Sequence, residues 1–366
     1  MPRRPDDALA ERGGWVELLR IPAALFGAIA RARGWLYDRR VLPSYDVDVP
    51  VVGVGNVSAG GTGKTPMIVW LARELRRRGL RPGIVSRGYG PTDDGPNDEA
   101  RMLASLLPDV PHVQDRDRVA AATKLADHGV DAVLLDDGFQ HRRLARDVDL
   151  VLVDVLRPFG LPAPAGGGPP VRAMLPRGLV REPLTGLRRA SAVVLTRTDA
   201  VEAAALEALE RTVTAEAPGV PVLRANHVPT RVRRITGEAD VEELPLSHLD
   251  GLQVDLFSGI GNPGAFEGTV RALGATVAEH RAFPDHHGFI PGELRGLGAD
   301  RPALTTAKDA ARLAGLDAEI APPSYLVLDV EMEVTRGRAI LDALLDTLPA
   351  SRAARERRSI HEGLHG

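Results

Sequence analysis

Gly60, Gly61, Gly63, Lys64 and Thr65 crowd into one short stretch, SAGGTGKT at residues 58–65, and those residue types in that order suit one kind of chemistry. Glycines let backbone N–H groups close around phosphate oxygens. A lysine at the end of the turn reaches the β- and γ-phosphates, and the hydroxyl after it serves Mg²⁺. The strict pattern asks for glycine where this chain has Ser58. The match is therefore to a relaxed form, with Ser58, Ala59, Gly60, Gly61, Thr62, Gly63, Lys64 and Thr65 as the nucleotide cradle. Pro66 follows in a first helical turn, where a missing N–H costs little. A second group lies at Asp136 and Asp137, which close the apolar run AVLL before Gly138 turns the chain. Acids at the carboxyl edge of a parallel sheet are where a P-loop protein holds its Mg²⁺, and His141 lies within reach of the same edge. Loop and acid pair together define a P-loop nucleoside triphosphatase and leave the phosphoryl acceptor open.

Placing these groups requires a scaffold, and the chain supplies an alternating one. Apolar, β-branched runs recur at 51–56, 82–90, 131–138, 148–154 and 191–196, with helix-like stretches at 67–78, 100–107, 118–128 and 202–214. That alternation predicts an α/β fold with a mostly parallel sheet. A second set of strands is predicted at 252–259, 275–283, 302–307 and 324–333, with helical stretches at 265–273 and 309–313. The expected division is an amino-terminal amphipathic segment at 1–45 and a P-loop domain at 46–225. Linker strands at 226–250, a second and smaller α/β domain at 251–348, and a charged tail at 349–366 complete it. The Pro/Gly segment LPAPAGGGPP at 161–170 reads as a mobile loop, and TRTD at 196–199 as a strand-end turn.

Composition excludes several functions. With 46 basic and 49 acidic residues the net charge is −3, so bulk charge drives no nucleic-acid binding. Cysteine is absent, which excludes disulfides, Cys-ligated zinc and a thiol nucleophile, and fits a reducing compartment. Of the 46 basic residues only Lys64, Lys124 and Lys308 are lysine, and against so strong an arginine bias a retained lysine is a place to look for chemistry that arginine cannot do. Lys64 has that reason in the phosphate cradle, whereas Lys124 sits in a helix-like stretch and needs no function. No secretory signal is expected from MPRRPDDALAER, and the uncharged run Ile21–Ala30 is too short to span a bilayer. Trp15, Leu18, Leu19, Leu25, Phe26, Ile29, Trp35, Leu36 and Tyr37 are interleaved there with Arg20, Arg31, Arg33, Arg39 and Arg40. That mixture suits a helix lying in a membrane interface or one packed on the domain.

The accumulated segments resemble one family, the tetraacyldisaccharide 4'-kinases of lipid A biosynthesis. They are GNVSAGGTGKTP (55–66), VSRGYG (85–90), NDEARMLA (97–104), DDGFQHRRLARDVDLVLVD (136–154), LPRGLVREP (175–183), SGIGNPGAF (258–266), FPDHHGF (283–289) and TTAKDAARL (305–313). The resemblance covers about residues 15–345, and DDGFQHRRLARD is far more specific than a P-loop.

The resemblance implies a P-loop kinase-like α/β/α domain, a second smaller α/β/α domain, and an active site in the cleft between them. It implies transfer of the ATP γ-phosphate to the 4'-hydroxyl of a tetraacylated disaccharide 1-phosphate at the cytoplasmic face of the inner membrane. The partners it implies are ATP, Mg²⁺, the acylated lipid and a membrane surface, which favours the interfacial reading of residues 14–40. Asp98 falls where the family carries its catalytic base, and His286 on the histidine that works with it. Placed in different domains, the pair would assemble on closure. Asn97 stands where glycine is usual. Asp137 and Glu182 are candidates for Mg²⁺ or its water shell, Arg181 is a candidate for contact with substrate phosphate, and Arg87 is expected at a strand end facing the same crevice. Lys308 occupies the place of the TEKD lysine, with Ala307 for the usual glutamate, as a charge near phosphate or a hinge contact. A different class, a P-loop switch that hydrolyses nucleotide to control a partner, has no need for FPDHHGF or NDE. A third reading, a catalytically weak lipid-binding paralogue, rests only on Asn97 and Ala307, and both spare the candidate catalytic groups.

Overall fold

A computed structural model describes residues 5–88, 98–164, 167–237, 240–285, 287–314, 316 and 320–349, of residues 5–7, 98 and 99 the backbone only. In chain order the elements are α1 (Pro5–Ala10), α2 (Arg20–Asp38), β1 (Val51–Asn56), α3 (Lys64–Arg77), β2 (Pro82–Ser86), α4 (Asp98–Leu106), β3 (His112–Gln114), α5 (Arg118–Asp127), β4 (Ala132–Asp136), β5 (Val148–Asp154), β6 (Ala192–Thr196) and α6 (Ala203–Glu216). There follow β7 (Val222–Thr236), β8 (Asp240–Leu244), β9 (Gln253–Ser258), α7 (Pro263–Ala272), β10 (Thr276–Ala282), β11 (Ala303–Thr306), α8 (Ala307–Leu313), β12 (Ser324–Arg336) and α9 (Arg338–Asp346). The fold is mixed α/β, as expected, and each predicted strand and helix has its counterpart within a few residues.

The chain forms two compact units, the first of Met1–Gly88, Val110–Asn226 and Glu333–Gly366, the second of Tyr89–Asp109 and His227–Met332. This differs from the contiguous division read from the sequence. Helix α4, expected in the P-loop domain, belongs to unit two, where it packs on α8; α9 belongs to unit one. The supposed linker strands are paired: Val232–Thr236 of β7 run antiparallel to β8.

In unit one the strand order is β7-β6-β5-β1-β4-β2-β3, with parallel pairing throughout. Strands β1, β4, β5 and β6 are buried along their whole length, which is why they read as continuous apolar runs without alternation. β1 lies between β4 and β5, with Val54 opposite Asp136. The loop leaving β1 and the acids ending β4 therefore emerge side by side at the carboxyl edge of the sheet. Tight packing fixes that edge. A Cβ on Gly55 would lie 2.5 Å from the Cβ of Phe139, so only glycine lets the two strand ends approach.

Unit two orders its strands β10-β9-β11-β12 in parallel. Its core alternates across the sheet: Leu326 and Leu328 pack with Val254, Leu256 and Val270 on one face, Tyr325 and Val327 with Phe257 and Phe289 on the other. Phe257 meets Phe289 and Tyr325 edge-on, with centroids 6.0 and 6.2 Å apart. Helix α7 starts at Asn262, whose side chain accepts from Ala265 N–H, and α8 at Thr306, which accepts from Asp309 N–H.

Helix α2 inverts the usual arrangement. Its buried residues are the small ones, Ala23 and Gly27, and a Cβ on Gly27 would sit 3.5 Å from Met174. Its large apolar residues point to solvent, with Ile21 78 %, Leu25 63 % and Ile29 58 % exposed. Among the described residues no helix is long and apolar enough to cross a membrane.

Candidate active site

The turn after β1 is held from several sides. Asn56, fully buried, donates through Nδ2 to the Thr62 hydroxyl (3.2 Å) and the Gly60 carbonyl (3.4 Å). Thr196 at the end of β6 donates its hydroxyl proton to the Thr62 carbonyl (3.0 Å), and Arg197 donates to the Gly61 carbonyl (3.1 Å). Ser58 is buried and bridges Val180, while Ala59 N–H donates to Leu179 O (2.7 Å). Gly60 (φ 123°) and Gly63 (φ 89°) take left-handed conformations that favour glycine, and Gly63 hands the chain to α3. No side chain caps α3, so the first-turn N–H groups of Lys64 and Thr65, at the positive end of the helix dipole, remain for an anion.

Opposite this turn stands Asp137. Its carboxylate lies 3.5 Å from Lys64 Nζ and accepts two hydrogen bonds from Arg181 Nη1, at 2.9 and 2.8 Å. Burial alone raises the Asp137 pKa, but the charges of Lys64, Arg181 and Arg118 outweigh it, and the carboxyl is held below its ordinary value. Asp137 adopts φ 49°, the left-handed region that Asp tolerates better than most residues, and Arg118 Nη1 fastens its carbonyl at 3.1 Å. Asp136 is buried as the last residue of β4.

Glu182 is oriented through both oxygens: Gln140 Nε2 donates to Oε1 (2.7 Å) and Arg189 Nη2 to Oε2 (2.9 Å). Gln140 also donates to the Asn56 carbonyl (2.8 Å), tying Glu182 to the strand that feeds the loop. Among the described residues no three carboxylates or histidines are grouped to hold a metal ion, but the Thr65 hydroxyl and one or two of the Asp136, Asp137 and Glu182 carboxylates are the oxygen donors Mg²⁺ takes when water and phosphate fill its remaining positions.

His141 is half-buried among Arg118, Arg146, Arg33 and Arg143; burial first and then these cations push its pKa down to about 4, so it is neutral at pH 7. Arg87 follows β2 and is exposed. Lys308, on α8 of unit two, pairs with Asp285 at 3.0 Å. The structure thus brings together residues 58–65, Asp136, Asp137 and Arg181, with Glu182 joined to them through Gln140. The Asp98 side chain and His286 lie outside the described residues, as does Asn97. Their neighbours are placed: α4 begins at Asp98, and His287 stacks on Phe283 (4.7 Å) with Nε2 2.7 Å from Glu293 Oε2. Both segments belong to unit two, so the sequence argument that closure of two domains assembles Asp98 with His286 does not hold.

Asn56, Arg118 and Gln140 were not singled out from the sequence, although Asn56 and Gln140 stand inside the motifs GNVSAGGTGKTP and DDGFQH. Their signal was membership of those strings, and their roles depend on approaches across strands that no local pattern encodes.

A glycine-rich turn between a buried parallel strand and an uncapped helix, faced by an ionised aspartate at the neighbouring strand end, defines a P-loop nucleotide-binding enzyme. The model of the tetraacyldisaccharide-1-P 4'-kinase family, LpxK, matches residues 15–349, and the chain belongs to that family. A tetraacyldisaccharide 4'-kinase of Anaeromyxobacter sp. (strain K) is 40 % identical over 356 residues, covering 91 % of this chain and 90 % of its own length. One from Aeromonas salmonicida is 35 % identical, covering 93 % and 95 %. The crystal structure of LpxK from Aquifex aeolicus in complex with ATP has a TM-score of 0.69 at 29 % identity, covering 92 % of this chain and 99 % of that one.

Proposed function

We propose that this chain transfers the γ-phosphoryl group of ATP to the 4'-hydroxyl of a tetraacyldisaccharide 1-phosphate, giving the 4'-phosphorylated lipid A precursor and ADP. The observation that carries it is the set formed by Lys64, Asp137 and Arg181 beside an uncapped α3, in a chain matched to the family over nearly its whole length. Before nucleotide binds, Asp137 pairs with both Lys64 and Arg181 and leaves one positive charge in excess. When the triphosphate enters, Lys64 and the amides of residues 60–65 neutralise its charge, and Arg181 is placed for the transferring phosphoryl group. Thr65, Asp137 and Glu182 would hold Mg²⁺, with Asp136 behind them; when bound, the ion would supply charge neutralisation to the triphosphate. Asp98, assisted by His286, takes the proton of the 4'-hydroxyl as its oxygen bonds to phosphorus and the bond to the ADP oxygen breaks. Arg87 and Lys308 are further phosphate-binding candidates.

The exposed Ile21, Leu25 and Ile29 on α2, with Trp15 65 % and Leu18 72 % exposed just before it, support an interfacial helix. It would hold the enzyme peripherally or monotopically at the cytoplasmic face of the inner membrane, where the acyl chains of the substrate stay in lipid. The test is transfer of radiolabelled phosphate from ATP and Mg²⁺ to the disaccharide lipid in detergent. Incorporation lost in Lys64→Ala supports the reading, and no incorporation by folded wild-type protein overturns it.

A further inference from the structure

Beside α2, within unit one, lies a cavity of about 750 Å³ whose lining includes Arg12, Arg20, Arg172 and Arg177 over Ala23 and Met174. No acidic side chain lines it among the described residues. The four arginines do different work. Arg177 is a strut, 1 % exposed. Its Nη1 donates to the Leu9 carbonyl (2.6 Å), and its Nη2 to the Glu11 carbonyl (3.0 Å) and the Glu17 carboxylate (2.9 Å). Its buried Nε–H has no hydrogen-bond partner in the protein. Arg12 uses Nη2 on the Pro169 carbonyl (2.9 Å), Arg20 uses Nε on Glu17, and Arg172 lies over the Phe159 ring at 4.4 Å. A guanidinium has five N–H donors, so Arg12, Arg20 and Arg172 line the cavity with more donors than these contacts consume.

Glu17 offsets one positive charge, and a net excess remains. Arg12, Arg20 and Arg172 around the buried Arg177 call for an anionic oxygen group, and the fork geometry of guanidinium suits phosphate. The apolar floor and the exposed Ile21 and Leu25 flanking Arg20 and Ala24 call for acyl chains attached to that phosphate. We propose that this cavity binds the phosphate of an anionic phospholipid of the bilayer, whose chains run along the exposed face of α2. The proposal rests on the interfacial reading of that helix. It makes the amino-terminal segment a lipid-selective dock as well as an apolar anchor.

The test is co-sedimentation with vesicles of phosphatidylglycerol and phosphatidylcholine, compared with pure phosphatidylcholine. The double variant Arg12→Lys, Arg172→Lys keeps every charge and removes two guanidinium forks. Its preference for the anionic vesicles is expected to fall by roughly five-fold. Arg211→Lys, an exposed residue of α6 paired with Glu207 at 3.7 Å, serves as the control and should change nothing. An unchanged preference in the double variant, with KM for the lipid substrate also unchanged, reduces the effect to bulk charge and overturns the cavity site alone. Wild-type protein that binds neither vesicle overturns the interfacial reading itself. If the double variant keeps its vesicle preference but raises KM for the tetraacyldisaccharide 1-phosphate in neutral micelles, the phosphate bound is the substrate's own, which overturns the bilayer assignment.

Discussion

The surroundings of the P-loop and the amino-terminal helix α2 sit in the same unit and are built on opposite rules. Around the loop, each charged side chain has a partner within the protein. Lys64 and Arg181 face Asp137, Glu182 is held by Gln140 and Arg189, and Asn56 spans the turn. Along α2 the small residues are inside and the large apolar ones outside. The first region is organised before its ligand arrives, so little rearrangement remains when phosphate replaces carboxylate at Lys64. The second is incomplete in water, with each exposed leucine or isoleucine able to gain about 1.5–3 kcal/mol when buried. Nucleotide chemistry and membrane docking should therefore be separable by mutation.

The largest expected effect tests that separation from the nucleotide side. Lys64→Ala should lower phosphate transfer by about 10³-fold or more while vesicle binding stays at the wild-type level. A parallel loss of both would join the two regions. From the membrane side, Leu25→Asp with Ile29→Asp should weaken vesicle association by roughly 100-fold and leave ATP affinity unchanged, measured by calorimetry in detergent. Gly55→Ala attacks the strand packing beneath the loop. With Phe139 in the way, it should destabilise unit one by about 1–3 kcal/mol in urea unfolding. Gln140→Ala should reduce kcat roughly ten-fold and shift the Mg²⁺ dependence, because Glu182 and the Asn56 carbonyl lose a shared donor.

The smallest effect is one of pH. His141 is pushed from 6.5 to about 4 in the folded protein, so between those values the unfolded chain binds more protons than the native one. Its contribution to stability is complete above 6.5 and declines as pH falls toward 4. The loss is moderated by the half-exposure of the ring. His141→Asn should flatten the dependence of the urea midpoint over that range; an unchanged slope would show that the native histidine titrates normally.

Legibility in the sequence followed locality. The cradle 58–65 and the pair Asp136 and Asp137 were readable because strand, turn and helix are consecutive in the chain, and the buried strands of unit one because both faces are covered. Strand β3, only HVQ, and strand β8, the charged DVEEL, carry too few apolar residues for a strand pattern and exist through pairing with β2 and β7. The assignment of α4 to unit two was invisible, since its packing on α8 joins segments about 200 residues apart. Arg181 was found as a phosphate candidate, but its grip on Asp137 depends on residues 179–181 docking back against 57–59, which spacing does not announce. Helix α2 was ambiguous for a physical reason: an apolar face looks the same in sequence whether it meets protein or lipid. The structure buries Ala23 and Gly27 and exposes Leu25 and Ile29, an arrangement that periodicity alone does not reveal.

Phosphorylation of an acylated sugar by the charge set at the P-loop is open to a single-turnover assay of labelled γ-phosphate transfer to the tetraacyldisaccharide 1-phosphate by wild-type protein and Asp137→Asn. Label at the 4' position with wild type and a severe loss in the variant is the predicted result. Label appearing only as inorganic phosphate, with or without lipid, would contradict it.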